Sequence, residues 1–218
     1  MDVPTLKTMT MVHGIPIGAE SAENWERVEE FQARPDDVVI STYPKAGTTW
    51  TSEIVDMIYC GGDPEKCKRD TIYNRVPYLE FRIPNMPTGV ELLEGRPSPR
   101  LLKTHLPIQL MPESFWDKKS KNPKREIRKM LQFLEIKMTD DIVEKIVHHT
   151  SFEEMKNNDM VNYKTIANDV LDQTTTTFMR KGLAGDWKNY FTVAQNKTFD
   201  EDYKKQMSGT NLHFRTEI

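Results

Sequence analysis

The chain has little cysteine. Cys60 and Cys67 are the only two in 218 residues, too few for a disulfide framework and without the His/Cys company of a structural metal site. Long apolar runs are missing as well. The opening MDVPTLKTMTMVHG has no stretch of signal-peptide length, and no later segment reaches the length needed to cross a bilayer. A reduced, cytoplasmic compartment is therefore expected, and Asn196-Lys197-Thr198 is then an accidental match to a glycosylation acceptor. Neither sign of charge is in excess: 30 Lys and Arg stand against 33 Asp and Glu, for a net −3. That balance gives no reason to expect nucleic acid or an anionic membrane as partner. There is no repeat and no low-complexity tract, and 37% hydrophobic with 29% charged residues is a globular composition.

Buried strands are also scarce, which bears on the fold. VVIST (38–42) reads as one: short, β-branched and uninterrupted. A turn, Tyr43–Gly47, follows it, and then a helix whose Trp50, Ile54, Met57 and Ile58 share a face, closed by Gly61-Gly62. Residues 63–98 read mostly as loop, punctuated by Pro77, Pro84, Pro87 and Pro97. RLLKT (100–104) is a second strand, stopped by Pro107. From Asn122, an N-cap before Pro123, the chain reads as helix and loop. Ile127, Met130, Leu131 and Leu134 make one helical stripe; Ile142, Val143, Ile146 and Val147 make another. Ser151 with Glu154, and Thr198 with Glu201, fit capping boxes. The basic run DKKSKNPKREIRK (117–129) is read as a solvated helix start, with a nuclear-localisation or polyanion patch as the sharper alternative.

The strand–turn–helix at 38–58 predicts an α/β fold, a parallel sheet flanked by helices. Such a turn aims several backbone N–H groups at one point, and the helix dipole adds partial positive charge. Gly47 permits close backbone approach, Lys45 adds a full charge, and Thr48 and Thr49 add hydroxyls. Together these suit a phosphate-like dianion. The nucleotide P-loop places its lysine after the glycine and has an earlier glycine; here Lys45 precedes Gly47, and no acidic Mg²⁺ ligand is evident on the second strand. A general ATPase or kinase is thus a poor match. The second strand ends in Lys103-Thr104-His105, beside the anion site, where a histidine can take a proton from an acceptor hydroxyl near neutral pH.

With these segments in view, the chain resembles the cytosolic sulfotransferases, nearest the phenol/estrogen/thyroid-hormone family 1. TYPKAGTTW (42–50) looks like their 5′-phosphosulfate loop and LLKTHLP (101–107) like the strand that carries the catalytic histidine. FMRKGLAGDWKNYF (178–191) and HTSFEEMKNN (149–158) are similar to two further cofactor-contacting motifs, and the C-terminal FRTEI also fits. The resemblance implies a P-loop-like sulfotransferase fold. It also implies transfer of a sulfuryl group from 3′-phosphoadenosine 5′-phosphosulfate (PAPS) to the hydroxyl of a small phenolic or steroid-like acceptor, without a metal. By the same resemblance Lys45 would contact the bridging oxygen and neutralise the leaving phosphate, His105 would be the general base, and Lys103 would bind charge on the sulfuryl group. Ala46, Gly47, Thr48, Thr49 and Trp50 would complete the cradle. Thr150, Ser151, Phe152 and Met155 would line the nucleotide, with Phe178, Met179, Arg180, Lys181 and Gly182 completing the cofactor site and Arg180, Lys181 and Gly182 clamping its 3′-phosphate. Thr104, Tyr78 and Phe81 would join Lys103 and His105 on the acceptor side.

Two departures from the family pattern stand out. Lys121 runs directly into Asn122 where the family has a long internal segment holding a central strand, the helices after it, and 3′-phosphate and adenine contacts. The expected fold is one sulfotransferase-like domain over 1–218, incomplete because of an internal deletion between 121 and 122. The alternative to a working enzyme is then a catalytically impaired or inactive isoform, acting at most as a binding protein. The second departure lies in the family's dimer motif, K-x-x-x-T-V-x-x-x-E. Lys188, Thr192 and Val193 match it, but Lys197 replaces the Glu, so a family-type homodimer should be weakened.

Overall fold

A computed structural model describes residues 9–82, 86–117, 131–132, 134, 136–168, 170–183 and 185–208. The join at Lys121–Asn122, the basic run beyond Asp117, the expected helix start at Asn122-Pro123 with Ile127 and Met130, and FRTEI lie outside them. The chain divides between Phe178 and Met179 into two compact units.

The first unit opens with an unanticipated hairpin, β1 (Met9–Val12) paired antiparallel with β2 (Ile15–Gly18). Its two-residue turn, His13-Gly14, has positive φ at both positions, 46° and 79°, the backbone that a tight hairpin turn requires. Two short helices follow, α1 (Ala19–Ala22) and α2 (Trp25–Glu29).

The central element is β3 (Val38–Ser41), the turn, and helix α3 (Thr48–Tyr59), as the sequence predicts apart from one residue at the strand end. β3 pairs in parallel with β4 (Leu101–Thr104), from Val38 opposite Leu101 to Ser41 opposite Thr104. On its other side β4 accepts the extended segment 77–79. Lys103 N–H donates to the Pro77 carbonyl and Leu79 N–H to the Lys103 carbonyl, each at 2.9 Å. Parallel pairing sends the ends of β3 and β4 out at the same edge, so the 43–47 turn and His105 emerge side by side. Among the described residues β3 pairs only with β4.

Residues 63–98 are less loop-like than their prolines suggest. They hold α4 (Pro64–Cys67), α5 (Ile72–Arg75) and α6 (Gly89–Glu94). Pro64 occupies the first turn of α4, where a missing N–H costs nothing, and Thr88 with Glu91 forms a capping box for α6. Val28, Phe31, Leu79, Leu93, Leu102 and Phe115 belong to one buried cluster. Phe115 comes from α7 (Ser114–Asp117). A second cluster joins Ile54, Met57 and Ile58 of α3 to Cys67, Leu131 and, from α8 (Asp140–His149), Val143 and Ile146.

Three pattern readings are corrected. Trp50 does not share the core face of α3: it is 54% exposed, because its indole N–H reaches out to the Thr150 carbonyl at 2.9 Å. Its expected place in the interior goes to acids. Glu53 and Asp56 are buried and share Arg75, which is buried with them; Asp56 also takes Arg69, and Glu53 takes His149 at 2.9 Å. Hydrophobic periodicity cannot see a buried charge that brings its own partner. Val147 likewise lies 49% exposed, off the α8 stripe.

Thr198 with Glu201 is not a capping box. Helix α10 (Val193–Met207) starts earlier, and its box is Thr192 with Gln195. Thr198 sits inside it and donates to the Ala194 carbonyl. At α9 (Phe152–Lys156), Ser151 supplies one half of the expected box, its hydroxyl accepting from Glu154 N–H.

Candidate functional site

The 43–47 turn is built for close approach to its own helix start. Lys45 holds φ of 62° and Gly47 of 96°. A left-handed lysine is uncommon, and such strained residues cluster where a loop must present its backbone. Gly47 is the N-cap of α3 and brings no side-chain acceptor. The first-turn N–H groups are thus left to point out of the loop with the dipole behind them, the arrangement that fits an anionic group. Thr48 lies 2.6 Å from the Thr42 hydroxyl, and the Thr49 hydroxyl donates to Tyr163 at 3.4 Å. Lys45 Nζ donates to the Phe178 carbonyl at 2.9 Å and lies 4.0 Å over that ring. Ala46 closes the turn with its N–H on the Tyr43 carbonyl.

His105 stands beside this turn with its tautomer determined. Nδ1 is 2.8 Å from the Thr42 carbonyl, which can only accept, so Nδ1 carries the proton. Nε2 is then an acceptor, and the Tyr78 hydroxyl donates to it at 2.8 Å. The backbone N–H of His105 is held at 2.7 Å by Glu80 Oε1. Tyr78 stacks on Phe81 at 4.0 Å between centroids, and Phe81 lies within 6.3 Å of the imidazole. Tyr78 and Phe81, predicted as an aromatic wall, thus flank the histidine. Thr104 is buried, and its hydroxyl accepts from Leu106 N–H.

Lys103 is fully buried, which the sequence did not reveal. Its ammonium donates to Tyr163 at 3.1 Å and lies 4.7 Å over the Tyr78 ring. Burial first, then the Arg75 charge, pulls its pKa down to about 7. Glu80 mirrors it. Burial pushes that carboxyl up to about 7 against the hydrogen bond from His105, and its Oε2 has no hydrogen-bond partner among the described residues. Burial also raises Tyr163 to about 12, keeping its hydroxyl neutral. Two ionisable groups poised near neutrality beside a histidine make this end of β4 the candidate site.

Trp50 ties α3 to Thr150, which places the 150–152 segment beside the turn. Thr150 is buried, Ser151 exposed and Phe152 partly exposed. Met155 is 1% exposed, in the interior. Met179, Arg180, Lys181 and Gly182 open the second unit. There Arg180 pairs with Asp186 at 2.8 Å and Lys181 at 3.1 Å, and both reach the Tyr190 hydroxyl at 3.1 Å. Asn189, Lys181 and Arg180 together pull Asp186 down to about 2.

Sequence reasoning missed Glu80 and Tyr163. An acid inside the apolar run VPYLEF was a usable signal for Glu80. Nothing in the sequence marks Tyr163, which is joined to Thr49 and Lys103 only through the fold.

Comparison with known proteins places this geometry. The sulfotransferase domain model matches residues 35–122 and 120–211, two blocks that meet at the join. Sulfotransferase 1B1 of Canis lupus familiaris is 44% identical over 287 residues, covering 97% of this chain and 97% of the relative. Human sulfotransferase 1E1 is 41% identical over 281 residues, covering 95% of this chain and 96% of the relative. Alignments of that length against a chain of 218 residues mean that the relatives carry an internal stretch with no counterpart here. Among solved structures, retinol dehydratase in complex with androsterone and the inactive cofactor PAP superposes with a TM-score of 0.72 at 18% identity, covering 93% of this chain and 89% of that one. A mouse sulfotransferase complexed with PAP gives 0.66 at 21%, covering 93% and 95%. With two matching blocks over most of its length and relatives above 40% identity, the chain belongs to the sulfotransferase family.

Proposed function

We propose that this site transfers a sulfuryl group from PAPS to the hydroxyl of a small, hydrophobic phenolic or steroid-like acceptor. The observation that carries the reading is the state of His105: Nδ1–H on the Thr42 carbonyl leaves Nε2 as a base, and the Tyr78 hydroxyl marks where a donating hydroxyl sits. An acceptor hydroxyl in that place gives its proton to Nε2 as its oxygen bonds to sulfur. The bond from sulfur to the bridging oxygen breaks, and the leaving phosphate keeps the electron pair. PAPS supplies the activated sulfur and the leaving phosphate. Lys45 and the first-turn N–H groups of α3 meet the charge on that phosphate, and Lys103 meets charge on the transferred group. Androsterone and retinol in related structures are the class of acceptor that the Tyr78–Phe81 wall suits. Arg180 and Lys181 are the proposed 3′-phosphate clamp.

Lys45→Ala and His105→Ala should each remove about 10²–10⁴-fold of the measured phenol sulfation. Near-normal turnover in either variant sinks that residue's role. A second, low-activity reading is motivated by the family match falling into two blocks, 35–122 and 120–211, that overlap at 120–122. By it the donor grip is incomplete and the absolute rate is low.

Any dimer through the 188–197 motif is proposed to be weak. Lys197, 78% exposed, faces Glu201 of its own helix at 3.9 Å. A two-fold interface repeats one charge change twice. Sedimentation should show tighter association for Lys197→Glu than for the unaltered chain; equal association in both would remove the charge from the account.

A further inference from the structure

We propose that Cys60 and Cys67 form an oxidisable dithiol, a modification site at which a hydroperoxide converts the two thiols into an intramolecular disulfide. The turn between them brings the sulfurs together. Cys60 caps the C-terminus of α3, and Gly61 and Gly62 follow with φ of 70° and 77°. Gly62 N–H returns to the Met57 carbonyl at 2.9 Å, which reverses the chain. Asp63 then caps α4 and swings Cys67 back onto α3, where it is buried with its sulfur 3.3 Å from that of Met57. A side chain at position 62 would overlap Ile142 of α8, so glycine is demanded there by space as well as by φ.

The sulfurs of Cys60 and Cys67 and a carboxylate oxygen of Asp56 all lie within 4.8 Å of one another. A metal is the poorer occupant, because Arg69 and Arg75 already hold both oxygens of Asp56. The two thiols are differentiated instead. Cys60 is partly exposed, and Arg69 donates to its sulfur at 3.3 Å. The hydrogen bond from Cys67, more than any other contact, brings the Cys60 pKa down to about 7, while the same bond and burial push Cys67 up. A reachable thiolate beside a protonated, sheltered thiol is the arrangement of an attacking and a resolving cysteine. The Cys60 thiolate attacks the peroxide and becomes a sulfenic acid, releasing an alcohol or water. Cys67 then attacks that sulfur, the S–S bond forms, and water leaves with the Cys67 proton. Two thiols are oxidised and one peroxide is reduced.

The test uses the full reduced chain. It is treated with hydrogen peroxide, alkylated, digested and weighed. The expected product is a peptide pair linked Cys60 to Cys67, with both free thiols lost and the chain monomeric on a non-reducing gel. Cys67→Ser should instead leave a sulfenic acid on Cys60 that dimedone traps, and Cys60→Ser should lose the fast reaction. The alkylation rate of Cys60 should rise with pH about a midpoint near 7 in the unaltered chain and move upward in Cys67→Ala, which removes the donor. Both thiols remaining alkylatable, or linkage only between chains, overturns the proposal, as does a Cys60 midpoint at the ordinary thiol value.

Discussion

Glu80 shows how much a single residue carries. It touches His105 only through a backbone N–H, yet that contact sets where the imidazole stands. Its carboxyl is pushed from 4.5 up to about 7 by burial. Between those values the folded chain holds a proton that the unfolded chain has released. The stabilisation from this group is therefore full below pH 4.5 and is lost as pH rises through 7. Lys103 has the opposite sign: its folded pKa is depressed, so its contribution grows from about 7 upward. Glu80→Gln keeps the acceptor oxygen but cannot titrate. The stability difference between the unaltered chain and this variant should shrink by up to about 3 kcal/mol from pH 4.5 to pH 7.5, at about 1.4 kcal/mol per pKa unit. Urea unfolding of both proteins across that window measures it. Parallel pH profiles would mean that the carboxyl is already ionised when the protein folds.

At the scale of elements, what places Tyr78 on His105 is the contact between α6 and the 77–79 segment. Gly89 opens α6, and a Cβ there would overlap the Tyr78 carbonyl. The helix can lie so close only because that position has no side chain. Gly89→Ala should force α6 and the segment apart, costing about 1–3 kcal/mol. It should also lower sulfation by loosening Tyr78. Gly95→Ala, at the other end of the same helix, meets nothing nearer than the Glu91 carbonyl at 3.9 Å and serves as the control. If both variants unfold at the same denaturant concentration, the close approach is not what holds the segment. The buried Glu53–Arg75–Asp56 group acts at the same scale: it ties α3 to α5, and removing Arg75 would leave Asp56 with Arg69 alone and Glu53 with His149 alone.

Over the whole molecule, the parallel pairing is what remains narrow. A parallel sheet is normally covered on both faces and extended by several buried strands. Here β3 pairs only with β4 among the described residues, and the relatives hold an internal stretch that this chain lacks. A strand edge without its partner weakens the margin of about 5–15 kcal/mol on which a fold rests. On the proposed low-activity reading, each contact missing from the 3′-phosphate costs about 1.5–3 kcal/mol. Micromolar 3′-phosphoadenosine 5′-phosphate should therefore leave the melting temperature of this chain unchanged. A ligand that binds the native state at saturating concentration must raise it. A clear upward shift at micromolar nucleotide would show the donor site to be whole.

The sequence by itself determined the local chemistry. Lys45, Gly47 and the two threonines follow a β-branched run, and Lys103 and His105 end another, because strand, turn and helix signals are all contained in a few adjacent residues. The short α/β frame and the family were legible for the same reason. Tertiary structure decided what those residues are. Only parallel pairing of β3 with β4 sets His105 against the Thr42 carbonyl and so assigns its proton. Only the folded surroundings, burial first, move Lys103 and Glu80 toward neutrality, and only the return of Cys67 onto α3 makes a pair of two cysteines that are merely seven positions apart. Trp50 looked like core, yet the fold leaves it exposed and buries Glu53. Periodicity counts apolar residues along one helix, whereas the free energy of a buried charge or an exposed ring depends on partners that arrive from elsewhere in the chain.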